Sequence, residues 1–268
     1  QSYFHPPVLQ YFVNHNDLFS ELQSLFAENK IHRLGTGEFT DSLIWEMWID
    51  LSNHLVPAFA AQNSAILELK TKTTAVNRLE HLSHNRKTIL AWSVNTARII
   101  AEEERHTASL AARLEAAAKC ESWGYPLAFH FDPIVVYDDC EADYELVVKQ
   151  IFSHVSADNI VWISLGTFRF MPALKPIIQK RFPKSSIIYG EFITGLDGKM
   201  RYFKPLRIEI YQKIVACIRA YAPRTFIYFC MEDDEVWQKS LGYTAAEQGG
   251  LSQMLDAQAI QHCHLKLD

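Results

Sequence analysis

Side chains that could bind a small charged ligand recur along this 268-residue sequence, each group directly after an apolar run. Two carboxylates, Glu38 and Asp41, follow the first run, and an ammonium, Lys72, follows the second. Opposite charges within a few ångströms can hold a zwitterion such as an amino acid, and hydroxyl or amide groups add neutral donors and acceptors. The candidate binding residues are Gly35, Thr36, Gly37, Glu38, Thr40, Asp41, Lys72, Ser93 and Asn95, with His130, Asp132, Thr167 and Arg169 in equivalent places further along.

Each of these residues also has a purely structural interpretation. Gly35-Thr36-Gly37 can be a turn, Asp41 a helix N-cap and Lys72 a solvated loop residue. Ser93 and Asn95 can satisfy backbone groups at the end of a strand. The two glycines would equally let the backbone approach a ligand closely. Gathered at one place, the residues favour a binding site.

The elements that must position these residues alternate between strand and helix. Short, nearly all-apolar runs predict strands at 31–34, 65–69, 88–92, 126–131, 160–165 and 225–230, and segments with apolar residues at helical spacing lie between them. Parallel neighbours need a crossover that a helix supplies, so the pattern predicts an α/β fold with parallel strands. We expect a partial (β/α) TIM-type barrel, with a doubly wound sheet as the alternative. In both folds the carboxyl ends of the strands form the ligand-binding mouth.

Local signals predict several helices. Asp41 is expected to cap a helix that carries its apolar residues over 43–55. Another helix is expected over 75–82, and Thr107 is expected to cap the Ala- and Leu-rich helix that stops at Gly124.

The last part of the chain departs from this alternation. The Asp197-Gly198 pair between extended apolar runs predicts a β-hairpin over about 187–207. Residues 232–268 are expected to form a helical tail. No linker divides the sequence, so we expect residues 1–268 to form a single domain.

Composition limits the class of protein. The chain has a net charge of −5 and is 49% hydrophobic and 21% charged, which excludes intrinsic disorder. No apolar run approaches the roughly 18 residues of a membrane span, so no membrane partner is expected. The mild acidity argues against a dominant nucleic-acid-binding surface without excluding a local basic patch. The five cysteines are widely spaced and none forms a Cys-x-x-Cys pair, a pattern typical of reduced thiols in a cytoplasmic protein.

The order of the motifs carries a family resemblance. Gly35-Thr36-Gly37-Glu38, Thr40-Asp41-Ser42, Lys72 and Ser93-Val94-Asn95 resemble radical S-adenosylmethionine (radical SAM) enzymes and, more narrowly, the spore photoproduct lyase family. The middle of the chain is similar as well, in Arg113-Leu114-Glu115-Ala116-Ala117, Gly124-Tyr125-Pro126-Leu127, Asp132-Pro133-Ile134 and Phe168-Arg169-Phe170. The resemblance runs from residue 1 to about residue 230. It implies a partial barrel of the radical SAM kind.

The resemblance implies an activity and two cofactors. S-adenosylmethionine and a [4Fe–4S] cluster would together give a 5′-deoxyadenosyl radical that abstracts a hydrogen atom from the substrate, as in DNA photoproduct repair. The Cys-x-x-x-Cys-x-x-Cys motif that binds the cluster is absent here, and we expect the chain to start just after it. The cluster would then be bound by residues outside this chain, and the chain alone would be inactive.

The resemblance also assigns roles to individual residues. Glu38 lies where many radical SAM enzymes place an acid that holds the methionine ammonium. Lys72 and Ser93 suit the methionine carboxylate. Further cofactor contacts are implied for Thr40, Asp41 and Asn95.

One departure from the family concerns the hydrogen donor. Aligned through Thr40-Asp41, the position of the family's hydrogen-donating cysteine is Glu38 here. A carboxylate cannot donate a hydrogen atom as a thiol can, so the catalytic residue, the donor and the substrate stay open at this point.

The predicted hairpin mixes basic and aromatic residues. Members of the family carry a basic, aromatic hairpin that enters damaged DNA, so the resemblance implies DNA contacts for Lys199, Arg201, Tyr202, Lys204 and Arg207. The alternative is that the aromatics pack on the barrel and the charges are solvated.

Two other functions remain for the protein. One is a nucleic-acid-binding barrel without catalytic activity. The other, ranked last because no Gly-x-Ser-x-Gly motif is present, is an unrelated barrel hydrolase.

Overall fold

The computed structural model of the chain describes residues 11–37 and 40–266. Its strands are β1 (His32–Gly35), β2 (Ala65–Thr71), β3 (Thr88–Ser93), β4 (Leu127–Ile134), β5 (Ile160–Thr167), β6 (Arg169–Phe170), β7 (Phe192–Thr194), β8 (Met200–Tyr202) and β9 (Ile227–Phe229). One sheet is parallel, in the order β1-β2-β3-β4-β5-β9. The strands of this sheet follow one another in chain order, as in a barrel, whereas a doubly wound sheet reverses its order at a switch point. The predicted partial barrel is confirmed.

The helices are α1 (His15–Phe26), α2 (Leu51–Ala60), α3 (Ala97–Glu103), α4 (Leu110–Ser122), α5 (Cys140–His154), α6 (Leu174–Arg181), α7 (Lys204–Tyr221), α8 (Asp234–Leu241) and α9 (Leu251–Cys263). Several of them connect consecutive strands of the parallel sheet and cover its outer face, which explains why the strand sequences are almost entirely apolar. Within the described ranges, none of these helices combines the length and apolarity that crossing a bilayer requires.

The connection between β2 and β3 differs from the prediction. A helix was expected over 75–82, but the structure has a single 3-10 turn, Asn77–Leu79. Before this turn, threonine hydroxyl groups accept hydrogen bonds from the backbone N–H groups. Thr71 Oγ1 accepts from Thr73 N at 2.9 Å, and Thr73 Oγ1 accepts from Ala75 N at 3.3 Å. Such side-chain bonds compete with helix formation.

Two predicted helix starts are also wrong. Asp41 caps no helix, because residues 42–48 form turns and α2 begins at Leu51. The cap of α4 is Ser109, whose Oγ accepts from Ala112 N at 3.3 Å, and not Thr107. Thr107 is used elsewhere, in the buried network described below.

The concave face of the parallel sheet is covered at its amino end by α9. Ile66 and Ala128 pack there against Ala259 and its neighbours on the helix. The Lys87 ammonium donates to the carbonyl oxygens of Cys263 and His264 at 2.8 and 2.7 Å, which fixes the carboxyl end of α9. The predicted helical character of this region is confirmed, but α9 is part of the core and not a tail.

A second, antiparallel sheet has the order β6-β8-β7. Its β7–β8 hairpin turns at residues 195–198, where Gly195 N donates to Lys199 O at 2.8 Å and Gly198 has a φ of +75°. The predicted hairpin is therefore present but shorter. Lys204 already belongs to α7, because Pro205 fits the first turn of a helix.

Candidate cofactor-binding site

The parallel register brings the predicted residues to one edge of the sheet. Gly35 lies beside Glu68, and Ser93 lies beside His130. Lys72 follows directly on the last residue of β2, and Ser93 is the last residue of β3. These residues therefore share the carboxyl edge of neighbouring strands, where ligands bind in this class of fold.

Asp41 fastens the loop after β1 to the end of β2. One of its carboxylate oxygens, Oδ2, accepts from the backbone N–H of Lys72 at 2.7 Å. The other, Oδ1, accepts from Thr71 Oγ1 at 2.7 Å and from Leu43 N at 3.0 Å. Each oxygen is thus used by the protein, and Asp41 sets the direction in which the chain leaves β2 at Lys72.

In the segment Gly35-Thr36-Gly37, the backbone of Gly37 lies close to other residues of the protein and not to an open ligand site. A Cβ on Gly37 would lie 2.9 Å from the carbonyl oxygen of Lys70 and from Ser42 Oγ, so no larger residue fits there without a shift. Thr36 Oγ1 donates to Ser42 Oγ at 2.8 Å, and Ser42 Oγ in turn accepts from Lys70 N at 3.0 Å. Among the described residues, a Cβ on Gly35 would meet one atom within 4 Å, the carbonyl oxygen of Glu68 at 3.9 Å, so these residues leave space above Gly35.

Lys72 pairs with Glu104, which was not among the predicted site residues. Its ammonium donates to Glu104 Oε1 at 2.6 Å, and Glu104 Oε2 accepts from Arg113 Nη2 at 2.6 Å. The Lys72 side chain is 30% exposed, Glu104 is 9% exposed and Arg113 is fully buried. Burial raises the pKa of Glu104, but the charges of Lys72 and Arg113 and their hydrogen bonds outweigh burial and leave that pKa below its usual value.

Ser93 and Asn95 have different environments. The carbonyl oxygen of Ser93 accepts from Arg113 Nη1 at 2.8 Å, while its hydroxyl has no hydrogen bond to any residue in the described ranges. Asn95 is 1% exposed; its Nδ2 donates to Pro133 O at 2.8 Å and its Oδ1 accepts from Tyr144 Oη at 2.9 Å. The Ser93 hydroxyl is available for a ligand, whereas the Asn95 amide holds β3 and β4 together.

The described residues do not test two other members of the predicted set. Glu38 lies outside the described residues. Thr40 is exposed, at the boundary of the described loop. Their contacts with a cofactor stay predictions.

The concave face carries a buried contact between His130, one of the candidate residues, and Glu68, which was not among them. His130 Nε2 lies 3.1 Å from Glu68 Oε1, and Trp162 Nε1 donates to Glu68 Oε2 at 3.0 Å. Burial raises the pKa of Glu68, but the charge of His130 and the hydrogen bonds outweigh it, so the pKa is lowered overall. A carboxylate therefore stays ionised in the interior, between the apolar layer under α9 and the mouth of the barrel.

A second polar group lies at the ends of β4, β5 and β9. Arg169 Nη1 and Nη2 lie 3.3 and 3.4 Å from the two carboxylate oxygens of Asp132, and Nη2 lies 3.1 Å from Cys230 Sγ. A Cβ on Gly166 would lie 2.9 Å from Asp132 Oδ1, so glycine makes room for this pair. Burial and the nearby Asp132 carboxylate raise the pKa of the Cys230 thiol to about 11, which keeps it protonated at neutral pH.

The basic residues predicted to contact DNA are held within the protein. Arg201 donates to the Asp197 carboxylate, and Lys199 Nζ lies 3.6 Å from the same group. Arg207 Nε and Nη2 each lie 3.1 Å from an oxygen of Glu232, whose side chain is 2% exposed. Their contact with DNA stays a prediction, and it would require these ion pairs to open.

Lys204 and Tyr202 are engaged as well. The Lys204 ammonium lies 2.7 Å from Asp233 Oδ2 and 2.8 Å from Glu235 Oε2. The Tyr202 ring stacks on Phe192, with ring centroids 4.7 Å apart. The alternative prediction is therefore right for Tyr202, which packs inside the protein, but not for Phe203, which is half exposed. The charges are paired with carboxylates.

The cysteines of this chain do not fit an iron–sulfur cluster. Across the described ranges, no group of three His, Cys, Asp or Glu residues is placed to hold a metal ion. Burial raises the pKa of Cys120 and of Cys263 to about 12, although cluster ligation needs thiolates. S-adenosylmethionine is different, because Lys72 and the free hydroxyl of Ser93 offer cationic and neutral donors at one edge.

Comparison with known proteins decides the family. A family model for spore photoproduct lyase matches residues 4–214. The chain belongs to the spore photoproduct lyase family. The family match includes the predicted cofactor residues, and it ends before α8 and α9.

Curated spore photoproduct lyases give the same result. Those of Geobacillus sp. (strain Y412MC61) and Clostridium acetobutylicum are 27% and 24% identical to the chain, over 202 and 200 residues. Each alignment covers 74% of this chain and 57% of the relative. The spore photoproduct lyase of Bacillus subtilis is 30% identical over 148 residues, which cover 54% of this chain and 41% of the relative. The aligned part of the chain therefore spans 41% to 57% of the length of these relatives.

Solved structures of the family share the fold. Spore photoproduct lyase complexed with dinucleoside spore photoproduct has a TM-score of 0.75 to this chain at 23% identity and covers 82% of this chain and 68% of its own. A variant with bound AdoMet and dinucleoside spore photoproduct has a TM-score of 0.72 at the same identity and coverage. At this identity the similarity establishes the architecture of the half-barrel.

Proposed function

We propose that this protein binds S-adenosylmethionine at the carboxyl edge of β1, β2 and β3 and acts as a radical SAM lyase on a DNA photoproduct. The observation that carries the proposal is the convergence of Lys72 and Ser93 on one edge, in a chain that belongs to the spore photoproduct lyase family. A solved relative with bound AdoMet and dinucleoside spore photoproduct supports both halves of the proposal.

Four residues of this chain have roles in the proposed site. The Lys72 ammonium and the Ser93 hydroxyl donate hydrogen bonds to the methionine carboxylate, and a charge-assisted bond of this kind contributes about 1.5–3 kcal/mol. Asp41 positions Lys72 through the backbone and has no direct ligand contact in this scheme. Glu38 is proposed to hold the methionine ammonium.

S-adenosylmethionine supplies the adenosyl group from which the family's radical is made. The [4Fe–4S] cluster that the family uses has no ligands among the cysteines of this chain, and we assign none of its chemistry to residues here. The proposed part of this chain is to bind the sulfonium ligand, to orient it, and to present the concave face to the substrate.

The proposed substrate site is the concave face beyond the cofactor. Its side chains at the mouth are polar, since Asp132 and Arg169 pair there and the His130–Glu68 pair lies below them. Hydrogen-bonding groups of these types suit a damaged pyrimidine pair better than an apolar substrate. The exposed tip of the hairpin, at Leu196, is proposed as the part that approaches the DNA.

The proposal is tested with calorimetry and a product assay. We expect the full-length protein to bind S-adenosylmethionine, and we expect Lys72→Ala to weaken binding by about tenfold or more, as loss of one charge-assisted bond predicts. Lys119→Ala, an exposed lysine on α4, is the control. With cluster-loaded protein and a reductant, dinucleoside spore photoproduct should be converted and 5′-deoxyadenosine should form. If the protein binds S-adenosylmethionine but forms no 5′-deoxyadenosine, the proposed lyase activity is refuted and only the binding function remains.

Two further assignments accompany this proposal. We propose that residues 1–268 work as a single domain, which is consistent with α9 packing against strands from both halves of the sheet. We also propose a cytoplasmic location, because the five cysteines are free thiols in the structure.

A further inference from the structure

Lys72 and Ser93, the two residues proposed to bind the ligand carboxylate, are connected by one buried network. Glu104 accepts from the Lys72 ammonium through Oε1 at 2.6 Å and from Arg113 through Oε2 at 2.6 Å. Arg113 then donates to the carbonyl oxygen of Ser93 at 2.8 Å. The position of the ammonium is thus defined relative to the end of β3 and not only by its own flexible side chain.

The centre of this network is rigid. Arg113 is fully buried, and it also donates to Ala108 O at 3.0 Å and to Thr107 Oγ1 at 2.8 Å. A guanidinium with this many fixed acceptors cannot follow a moving partner. Because Glu104 is bound to Arg113, the Glu104 carboxylate is fixed, and the Lys72 ammonium is positioned by its hydrogen bond to that carboxylate.

The three charged residues of the network, Lys72, Glu104 and Arg113, carry a net charge of +1. Lys72 and Arg113 are cations, and Glu104 is a single carboxylate held ionised between them. An ammonium has three donors, and Glu104 accepts one of them, so donors remain on a side chain that is 30% exposed. One further carboxylate would neutralise the group.

We infer that Glu104 is a positioning residue that holds the Lys72 ammonium for the carboxylate of the bound ligand. This inference rests on the proposed function and adds a cause for ligand selectivity: a fixed ammonium favours an adenosyl sulfonium that carries a carboxylate over one that lacks it. Without Glu104, Lys72 and Arg113 would repel each other, and the ammonium would move out into solvent.

The test compares two ligands that differ in the carboxylate alone, S-adenosylmethionine and decarboxylated S-adenosylmethionine. Their dissociation constants are measured by calorimetry on the full-length protein and on Glu104→Gln, and their ratio is the readout. We expect Glu104→Gln to reduce the preference for S-adenosylmethionine by about tenfold and to leave the affinity for the decarboxylated ligand unchanged. Equal weakening of both ligands would mean that Glu104 only supports the fold, and would overturn the inference.

Three variants sharpen the result. Glu102→Gln, which removes a half-exposed carboxylate on α3 paired with Arg98, should leave the ratio unchanged. In a Lys72→Ala background, Glu104→Gln should have no further effect on the ratio, because the two residues act on the same bond. If Glu104→Gln does not fold, Glu104→Asp keeps the charge but withdraws the carboxylate from Lys72, and it should lower the ratio by a smaller factor. No change with Glu104→Asp would then contradict the inference.

The same measurements separate failure of the inference from failure of the proposed site. If Lys72→Ala removes the preference for the carboxylate and Glu104→Gln does not reduce it, the site stands and the role of Glu104 is refuted. If Lys72→Ala itself leaves the preference intact, the carboxylate is bound elsewhere, and the proposed site falls together with the inference.

Discussion

The carboxylate of Asp41 accepts a hydrogen bond from the backbone N–H of Lys72 at 2.7 Å, so the loop that follows β1 determines where the chain leaves β2. The other carboxylate oxygen of Asp41 accepts a second hydrogen bond, from Thr71 Oγ1 at 2.7 Å. The candidate site is therefore built from loop-to-loop contacts, and Asp41 and Thr71 determine where the chain places Lys72.

The first prediction concerns this contact. Asp41→Asn keeps the shape of the side chain but removes the charge that strengthens its three accepted bonds. We expect the free energy of unfolding to fall by about 1–3 kcal/mol and the affinity for S-adenosylmethionine to fall with it. Urea denaturation and calorimetry measure the two effects. Asp50→Asn, at an exposed aspartate, is the matched control and should change neither.

The second prediction concerns the ion pair beneath the hairpin. Glu232→Gln leaves the buried guanidinium of Arg207 without its carboxylate, and breaking such a pair typically costs about 3–5 kcal/mol. We expect a clear drop in the urea midpoint. Glu235→Gln, on the exposed surface nearby, should have little effect because solvent screens its pairs with Lys204 and Lys239. Similar midpoints for both variants would show that the buried pair does not stabilise the fold.

The third prediction concerns the attachment of α9. Lys87→Met removes the ammonium that binds the last carbonyl groups of the helix and keeps the length of the side chain. We expect α9 to be cleaved by proteases several times faster than in the native protein, while the rest of the sheet stays protected. Lys266→Met, an exposed lysine beyond the helix, should leave the cleavage rate unchanged.

The fourth prediction concerns pH. The hydrogen bond from Arg201, which is the largest influence, lowers the pKa of Asp197 to about 2. A depressed pKa in the folded state means that this carboxylate stabilises the hairpin above its ordinary pKa of 3.8, and that the contribution is lost as the pH falls from about 4 to 2. Hydrogen exchange of the hairpin amides, corrected for the intrinsic rate, should show faster opening in that range. In the Asp197→Asn variant, the hairpin should open at the same rate at about pH 4 and at about pH 2.

The architecture could be predicted from the sequence because it depends on local and repetitive signals. Apolar runs such as 88–92 and 160–165 are strands because helices cover them, and their order in the chain is their order in the sheet. The polar residues that end these runs were correctly placed at one edge for the same reason. Neither inference required knowledge of a long-range contact.

The residues that were missed depend on such contacts. Glu104 belongs to the run Glu102-Glu103-Glu104-Arg105, which has the composition of an exposed segment. Its burial results from Arg113, nine positions later, which returns to the end of β3. The one available signal was that Arg113 lies among apolar residues of a helix, where an arginine needs a buried partner.

The most direct test of the account is a crystal structure of the protein with S-adenosylmethionine bound. We expect the ligand carboxylate to lie about 3 Å from both the Lys72 ammonium and the Ser93 hydroxyl. We also expect Glu104 to keep its contacts with Lys72 and Arg113. A ligand whose carboxylate lies on another part of the barrel, with Lys72 still bound to Glu104 alone, would contradict it.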